Sequence, residues 1–271
     1  MSTIICPNCS TNFVGHFCNE SGQRSSDLKY TMKGMLYDIF VSAFHIEKKG
    51  LPYTVRELTL RPGSSIKKVI GGARLFLYPA FKYLVLMGAM VIIFSLRYHF
   101  FHNESTRASE MNSLPMWLGL VMEHEVFLES FFKFAEDEAT LLNIMAVPVF
   151  ALFSWILLSG KRYNFAENLI LNTYITAQQL LFLLLLVPFL EFFPQSKPLM
   201  IGIYTILMMI YNAWVFADFF STGKLKFLTI FLSTLAVVFA YIYQLPLNML
   251  VFFAYEHYIH PNIHWVPSIT P

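Results

Sequence analysis

Long apolar stretches alternate with polar segments along most of this chain, from about Leu75 to Phe253. The stretches begin near Leu75, Leu141, Leu169, Leu199 and Leu225. A helix needs about 20 apolar residues to cross a bilayer, because no water is available there to satisfy backbone donors and acceptors. The pattern therefore predicts an all-α membrane protein with about five transmembrane helices in residues 75–271.

Composition and charge agree with this class and suggest an orientation. Hydrophobic residues make up 56% of the chain and charged residues 13%, a balance that a soluble domain would struggle to keep monomeric. The net charge of +2 argues against nucleic acid as a partner. Basic residues precede the first stretch and follow the second and fourth, namely Arg24, Lys29, Lys33, Lys48, Lys49, Arg56, Arg61, Lys67, Lys68, Arg74, Lys161, Arg162, Lys224 and Lys226. The positive-inside rule then predicts a multi-pass protein of the cell (inner) membrane with a cytoplasmic N-terminus and an outside C-terminus.

The N-terminal residues 1–26 predict a small zinc-ribbon-like knuckle. Their apolar content is too low for a hydrophobic core, so a metal would have to supply the missing stability. Cys6 and Cys9 have the spacing with which one tight turn directs two thiolates at a metal, and Cys18 is a suitable third ligand. The position expected for a fourth cysteine holds Ser21. Two alternatives follow: a zinc site of three cysteines completed by His16 or water, or a metal-free knuckle.

Residues 27–74 predict cytoplasmic amphipathic and interfacial helices. One amphipathic helix is expected from Leu28 to Ala43. Thr54 and Glu57 form a capping-box pattern that opens a short helix, which Pro62 and Gly63 would end. A second short helix should follow between Ser64 and Leu75, with Ile66, Val69, Ile70 and Ala73 on one face. The basic residues of this region that we expect to meet anionic lipid headgroups are Arg61, Lys67, Lys68 and Arg74.

Several short motifs in succession carry a resemblance to a known family. After the knuckle come His45-Ile46-Glu47-Lys48-Lys49-Gly50, Leu60-Arg61-Pro62-Gly63, Gly71-Gly72-Ala73-Arg74, Pro79 and, later, Tyr163-Asn164-Phe165-Ala166-Glu167-Asn168. This succession resembles uncharacterised bacterial polytopic membrane proteins, a domain of unknown function with a zinc-ribbon knuckle and a basic RPG linker before the first transmembrane helix. The chain departs from that family at Ser21, in place of the last knuckle cysteine, and at Ala73, in place of a frequent basic residue. The resemblance covers nearly the whole chain and implies no established activity.

The predicted outer loop, residues 102–140, is acidic, and its segment from Leu114 to Phe134 predicts an interfacial or re-entrant helix. Its carboxylates would cost roughly 2.5–3.5 kcal/mol each at mid-bilayer, which argues against a sixth span. On the same predicted side lie six histidines that could bind a transition metal, although interfacial histidine is also ordinary: His99, His102, His124, His257, His260 and His264.

Polar residues within the apolar stretches form a second candidate site, centred on Glu167, Asn172 and Gln178. Others are Asn168, Gln179, Asn212, Asp218, Gln244 and Asn248. Intramembrane polar groups are functional candidates, but hydrogen bonds between helices explain many of them. For Glu167 and Asp218 the ordinary interpretation is a solvated cap or an ion pair with Arg162 or Lys224.

No catalytic motif is present in the sequence, so we expect no enzyme activity. The leading hypothesis is a membrane scaffold or adaptor whose cytoplasmic head recruits a protein partner while its basic segment meets the lipid bilayer. The alternative is a transporter or channel for a small solute or metal ion, which would use Glu167, Asn172, Gln178 and the outer histidines.

Overall fold

The computed structural model describes residues 3–23, 50–98, 131, 134, 138–159, 162–220 and 226–259, and the fold is mostly helical. The described elements are two short strands and seven α-helices. They are β1 (Ile4–Ile5), β2 (Asn12–Phe13), α1 (Leu51–Leu60), α2 (Pro62–Ile70), α3 (Ala80–Tyr98), α4 (Ala139–Ser154), α5 (Phe165–Phe192), α6 (Lys197–Phe220) and α7 (Lys226–Ile259). A π-helical turn, Trp155–Ser159, continues α4, and a 3₁₀ turn, Pro194–Ser196, precedes α6.

Four of the described helices are long and apolar enough to cross a membrane, which marks this chain as a membrane protein. Their candidate spans are Thr140–Leu158, Phe165–Leu190, Leu199–Phe220 and Phe231–Tyr255. The stretch predicted to form the first span is different. Its helix begins at Ala80 and not near Leu75, and its described apolar part is the shorter Ala80–Phe94. The predicted count of five spans is therefore not confirmed.

Proline explains the late start of α3. Pro79 lies just before the helix, and its carbonyl accepts a hydrogen bond from the N–H of Tyr83 at 2.9 Å, which closes the first helical turn. The residue before a proline is disfavoured in helical conformation, so Tyr78 cannot extend the helix backwards. The apolar residues between Leu75 and Tyr78 accordingly belong to a connecting segment.

Helix α5 is the central element of the bundle. It packs against α3, α4 and α6 and also touches α1 and α2. About half of its span is buried within the protein, compared with roughly a quarter of the spans in α4, α6 and α7. Large side chains fill its contacts with α3, including the fully buried Tyr83, Met87 and Leu171. A helix surrounded in this way can carry polar side chains that meet protein and not lipid.

Helices α1 and α2 form a short N-terminal hairpin, residues 51–70, that packs against α5 and α6. Leu58 and Ile66 have no exposed surface. The apolar face predicted for the second helix is confirmed, because Ile66, Val69, Ile70 and Ala73 are all buried. The sequence-based boundary was wrong: Pro62 begins α2 as its first residue, where the missing N–H of proline costs nothing.

The predicted capping box at Thr54 and Glu57 was also wrong. Helix α1 begins at Leu51 and has no side-chain cap at Gly50. Both polar side chains instead make tertiary contacts. Thr54 is buried and its Oγ1 accepts the N–H of Tyr78 at 2.8 Å, whereas Glu57 accepts the hydroxyl of Ser65 at 2.8 Å. The two residues therefore fix the hairpin and its connection to α3.

The turn of the hairpin lies against the end of α6. The backbone N–H of Ser64 donates to the carboxylate of Asp218 at 2.8 Å. A Cβ on Gly63 would lie 2.6 Å from the backbone nitrogen of Phe219 and 2.7 Å from Oδ2 of Asp218. Asp218 thus acts as a cap, one of the two roles expected of it, but the cap is that of α2.

Some sequence-based predictions lie outside the described residues. They include the amphipathic helix from Leu28 to Ala43 and most of the acidic outer loop. At the end of that loop, Phe131 and Phe134 are buried against Phe252 of α7, with ring centroids 5.7 and 5.4 Å apart. These two phenylalanines of the loop therefore contact the bundle.

Candidate metal centre

The N-terminal head, residues 3–23, is built on two short antiparallel strands. Ile4 pairs with Phe13 and Ile5 with Asn12. Between the strands, the N–H of Cys6 donates to the carbonyl of Thr11 at 3.0 Å, and the carbonyl of Cys6 accepts the N–H of Ser10 at 2.8 Å. This turn places Cys9 beside Cys6.

A second turn repeats the same hydrogen bonds twelve residues later. The N–H of Cys18 donates to the carbonyl of Gln23 at 2.9 Å, and the carbonyl of Cys18 accepts the N–H of Gly22 at 2.8 Å. The fifth residue of each turn has a positive φ, 63° at Ser10 and 75° at Gly22, the conformation that glycine adopts most easily. The two turns are equivalent, and Ser21 occupies the position in the second that Cys9 occupies in the first.

The sulfurs of Cys6, Cys9 and Cys18 lie within 4.8 Å of one another, and those of Cys9 and Cys18 are 3.5 Å apart. Zinc binds thiolate at about 2.3 Å in tetrahedral geometry, which separates two sulfurs by about 3.8 Å. The three thiols therefore fit a single metal ion. Cys6 and Cys18 are buried, whereas Cys9 is exposed.

Hydrogen bonds favour the thiolate forms that bind metal. The hydroxyl of Ser21, followed by its backbone N–H, lowers the pKa of Cys18 to about 6. The side chain and then the backbone of Thr11 lower the pKa of Cys9. The thiolate is the form that acts as a metal ligand. The local hydrogen bonds of both turns therefore favour the negatively charged thiolates of Cys9 and Cys18, which attract a cation.

The predicted fourth ligands are placed differently. His16 is exposed, and its ring nitrogens are not within the group of ligand atoms formed by the three sulfurs. Ser21 is buried at the cluster: its Oγ lies 3.2 Å from Sγ of Cys6 and accepts the N–H of Gln23 at 3.3 Å. The structure thus brings together three of the four predicted metal residues, with a hydroxyl beside them.

The head contacts the helical part of the chain through Gln23. Its side-chain amide donates to the backbone carbonyl of Gly72, in the turn that follows α2, and the side chain is buried. Because the backbone of Gln23 belongs to the second cysteine turn, the metal cluster and this contact share one segment. Three apolar residues of the head, in contrast to the buried Gln23, expose more than half of their surface: Ile5, Val14 and Phe17.

The four basic residues predicted to meet lipid headgroups have different surroundings. Arg61, Lys67 and Lys68 are exposed, whereas Arg74 is half-buried. The ammonium of Lys68 lies 4.8 Å from the centre of the Phe76 ring, within the range of a cation–π contact. Contact with anionic lipid stays a prediction for all four.

At the start of α5, Glu167 has a structural partner. Its carboxylate accepts the N–H of Asn164 at 2.9 Å, while its own N–H donates to the side chain of Asn164 at 2.9 Å, and the two residues form a capping box. Glu167 is therefore a cap, as one of its two interpretations had it, but it is buried and not solvated.

Asn172 and Gln178 belong to separate hydrogen-bonded groups. The amide of Asn172 donates to the hydroxyl of Ser154 in α4 at 2.9 Å, and Ser154 also contacts Asn168 at 3.1 Å. All three residues are buried. These bonds join Ser154 of α4 to two residues one turn apart on α5.

Gln178 instead joins α5 to α3 and to the hairpin. It accepts the hydroxyl of Tyr83 at 2.6 Å and donates to Oγ1 of Thr59 at 2.9 Å. Two further tyrosines, which the sequence analysis did not single out, donate hydrogen bonds in the same region. Tyr211 donates to the carbonyl of Leu58 at 2.9 Å, and Tyr174 donates to that of Tyr78 at 2.8 Å. A tyrosine in an apolar stretch gives no sign of its partner, so only its capacity to donate could have suggested these contacts.

Asn212 completes the set with a third group, in which it accepts the side-chain amide of Gln179 at 2.8 Å. Five of the predicted polar residues thus lie between helices as pairs and small clusters: Asn168, Asn172, Gln178, Gln179 and Asn212. The side-chain oxygen of Asn248 is buried without a hydrogen-bond partner among the described residues. The side chains of the six outer histidines lie outside the described residues, so a metal site there stays a prediction.

Comparisons of this chain with protein-family models, with curated proteins and with solved structures found no significant match.

Proposed function

We propose that this chain is a membrane-anchored adaptor whose zinc-binding head recruits a protein partner. The observation that carries the proposal is the arrangement of three cysteine sulfurs, contributed by two equivalent turns, around one point. Structural zinc sites in small domains have four protein ligands, of which this cluster supplies three, and they supply the folding energy that a short segment lacks.

The surface of the head supports the recruiting role. Ile5 and Val14 lie on the same face of the two-stranded sheet, because Ile5 pairs with Asn12 and side chains alternate along a strand. Phe17, later in the same segment of about twenty residues, is exposed as well. Exposed apolar groups gathered on a rigid support are typical of protein-binding surfaces. We assign them to a protein partner.

The remaining parts of the chain serve as the anchor in this proposal. Five spans, the shortest being the Ala80–Phe94 part of α3, would place the head in the cytoplasm and the C-terminus outside, in agreement with the basic residues around the hairpin. Arg61, Lys67 and Lys68 are exposed near the head and would meet anionic lipid headgroups. The Gln23–Gly72 contact would hold the head close to the membrane surface.

The metal is tested first, by elemental mass spectrometry of the full chain purified in detergent. We expect about one zinc per chain in the wild type, as in other structural knuckles. The zinc should be lost in Cys9→Ser and kept in the matched control His257→Ala/His260→Ala. Metal lost only in the histidine variant would overturn the proposal and favour transport at the outer face.

The partner is tested by chemical cross-linking in membranes followed by mass spectrometry. The variant Ile5→Asp/Val14→Asp should lose the cross-linked protein while retaining zinc, which shows that its head is still folded. Glu20→Gln, an exposed change elsewhere on the same head, should retain it. Identical cross-linked proteins in all three forms would contradict the adaptor role.

A further inference from the structure

We propose that a metal ion held by Cys6, Cys9 and Cys18 keeps its fourth coordination position open to an external thiolate. This inference rests on the zinc-binding head proposed above and specifies its chemistry. It concerns the position of the second turn that holds Ser21.

The equivalence of the two turns identifies where the fourth ligand would come from. Cys6 and Cys18 occupy the first position of each turn, and Cys9 occupies the fourth position of the first. A fourth sulfur would complete the set at Ser21, where the chain supplies a hydroxyl. Among zinc ligands in proteins, thiolates, imidazoles and carboxylates predominate, and a neutral alcohol competes poorly with them.

The hydroxyl of Ser21 is already engaged in other bonds. Its oxygen accepts the N–H of Gln23 at 3.3 Å and lies 3.2 Å from the sulfur of Cys6. With a backbone N–H as its donor, this hydroxyl can direct its own proton toward a cysteine sulfur. In the metal-bound cluster this hydroxyl would donate its single proton to a thiolate sulfur and help to orient it, as groups around a metal site commonly do.

Among the described residues, no other histidine, cysteine, aspartate or glutamate belongs to the group of ligand atoms formed by the three sulfurs. His16 is exposed and lies outside the group of ligand atoms. Cys9 is exposed while the other two cysteines are buried, so solvent reaches the cluster from the Cys9 side. A metal bound there would have three protein ligands and one exchangeable position, the arrangement of open zinc sites.

The ligand that suits this position is a small thiol. Soft thiolate matches a metal already bound by sulfur, and a monodentate ligand fits a single vacant vertex. On binding, the incoming thiol gives its proton to solvent and its sulfur replaces a water molecule at the metal. No electron is transferred, so no oxidant or reductant is needed.

Cobalt(II) provides the test, because its absorption bands report the number of sulfur ligands. The full chain in detergent, kept reduced with a phosphine, is loaded with Co²⁺ and titrated with 2-mercaptoethanol. Sulfur-to-cobalt charge-transfer absorption of the wild type should rise by about one third, as three thiolates become four. Ser21→Cys should show the higher absorption before any thiol is added and should not respond to it.

Other outcomes are equally informative. A wild type that binds cobalt but does not respond to thiol would overturn this inference and leave the metal-binding head intact. A spectrum that changes in His16→Ala would overturn it as well, since the fourth position would then be held by imidazole. Cobalt binding by Ser21→Cys and none by the wild type would overturn the proposed zinc head itself.

Discussion

The carboxylate of Asp218 accepts the backbone N–H of Ser64 at 2.8 Å, although 154 residues separate the two in the chain. Pro62 begins helix α2 and Gly63 follows it, so the first free N–H groups of this helix point at the end of α6. A carboxylate at a helix N-terminus satisfies a donor that has no partner within the helix and also matches the helix dipole. Pro62 and Gly63 thus have a structural role: they begin α2 and let its first turn lie against the carboxylate of Asp218.

Replacing Gly63 by alanine should destabilise the protein by about 1–3 kcal/mol, the usual cost of forcing extra atoms into a packed site. The added Cβ would lie 2.6 Å from the backbone nitrogen of Phe219, and a helix backbone cannot move aside easily. Thermal unfolding in detergent measures the effect. Gly202→Ala is the matched control, because a Cβ there meets nothing within 4 Å. Equal stability of the two variants would contradict the close approach.

Removing the Asp218 carboxylate should lower the stability less than filling the space beside it with the Cβ of Gly63→Ala. Asp218→Ala should lower stability by about 1 kcal/mol, as the loss of a helix cap does. Asp218→Asn keeps an acceptor oxygen and loses the charge, so we expect a cost of about 0.3–1 kcal/mol. The same unfolding measurement ranks the two variants. A larger effect of Asn than of Ala would argue against the cap.

The sequence predicted the class and much of the local structure, but not which partners the polar residues find. Four spans followed from the average hydrophobicity of long stretches, and the buried face of α2 followed from the spacing of its apolar residues. Thr54 and Glu57 have the spacing of a capping box, and tertiary contacts with Tyr78 and Ser65 outweighed that local preference. Local patterns cannot reveal partners that lie far away in the chain.

At the metal centre the sequence was more informative. The spacing of Cys6 and Cys9 predicts a tight turn. Such a turn can be predicted from sequence because its hydrogen bonds join residues that are close together in the chain. The equivalence of the second turn was harder to recognise, because Ser21 replaces the residue that would have marked it. Its bond to Gln23 lies within the second turn, whereas its contact with Cys6 requires the folded arrangement of both turns.

The contact between Tyr83 and Gln178 predicts a structural role for a residue first considered for transport. Tyr83→Phe removes the donor to a buried amide oxygen, so stability should fall by roughly 0.6–1.7 kcal/mol, the range of hydrogen bonds between membrane helices. Tyr243→Phe, at a tyrosine whose side chain is more than half exposed, is the control.

A double-mutant cycle with Gln178→Leu isolates the interaction. The two single changes should cost more in sum than the double change, since each removes the same bond. Strictly additive effects would show that Tyr83 and Gln178 do not depend on each other.

The side chain of Gln23 predicts how the head is held. Gln23→Ala removes its bond to the Gly72 carbonyl, and one such bond is worth about 1 kcal/mol, or about a fivefold change in the undocked population. Hydrogen exchange of peptides around Gly72 should become faster by this order while zinc content stays unchanged. Asn19→Ala, an exposed change in the same cysteine turn, should leave the exchange rate alone. Loss of zinc in Gln23→Ala would mean that the residue supports the metal site instead.

The packing of the N-terminal hairpin has a consequence for how the protein is made. Leu58 and Ser64 find their partners at Tyr211 and Asp218, more than 150 residues later. At a synthesis rate of about 5–20 residues per second, the ribosome needs roughly 8–30 s to deliver those partners. During that time the apolar face of the hairpin lacks its contacts with α6. The segment that is translated early is therefore one that completes its packing late.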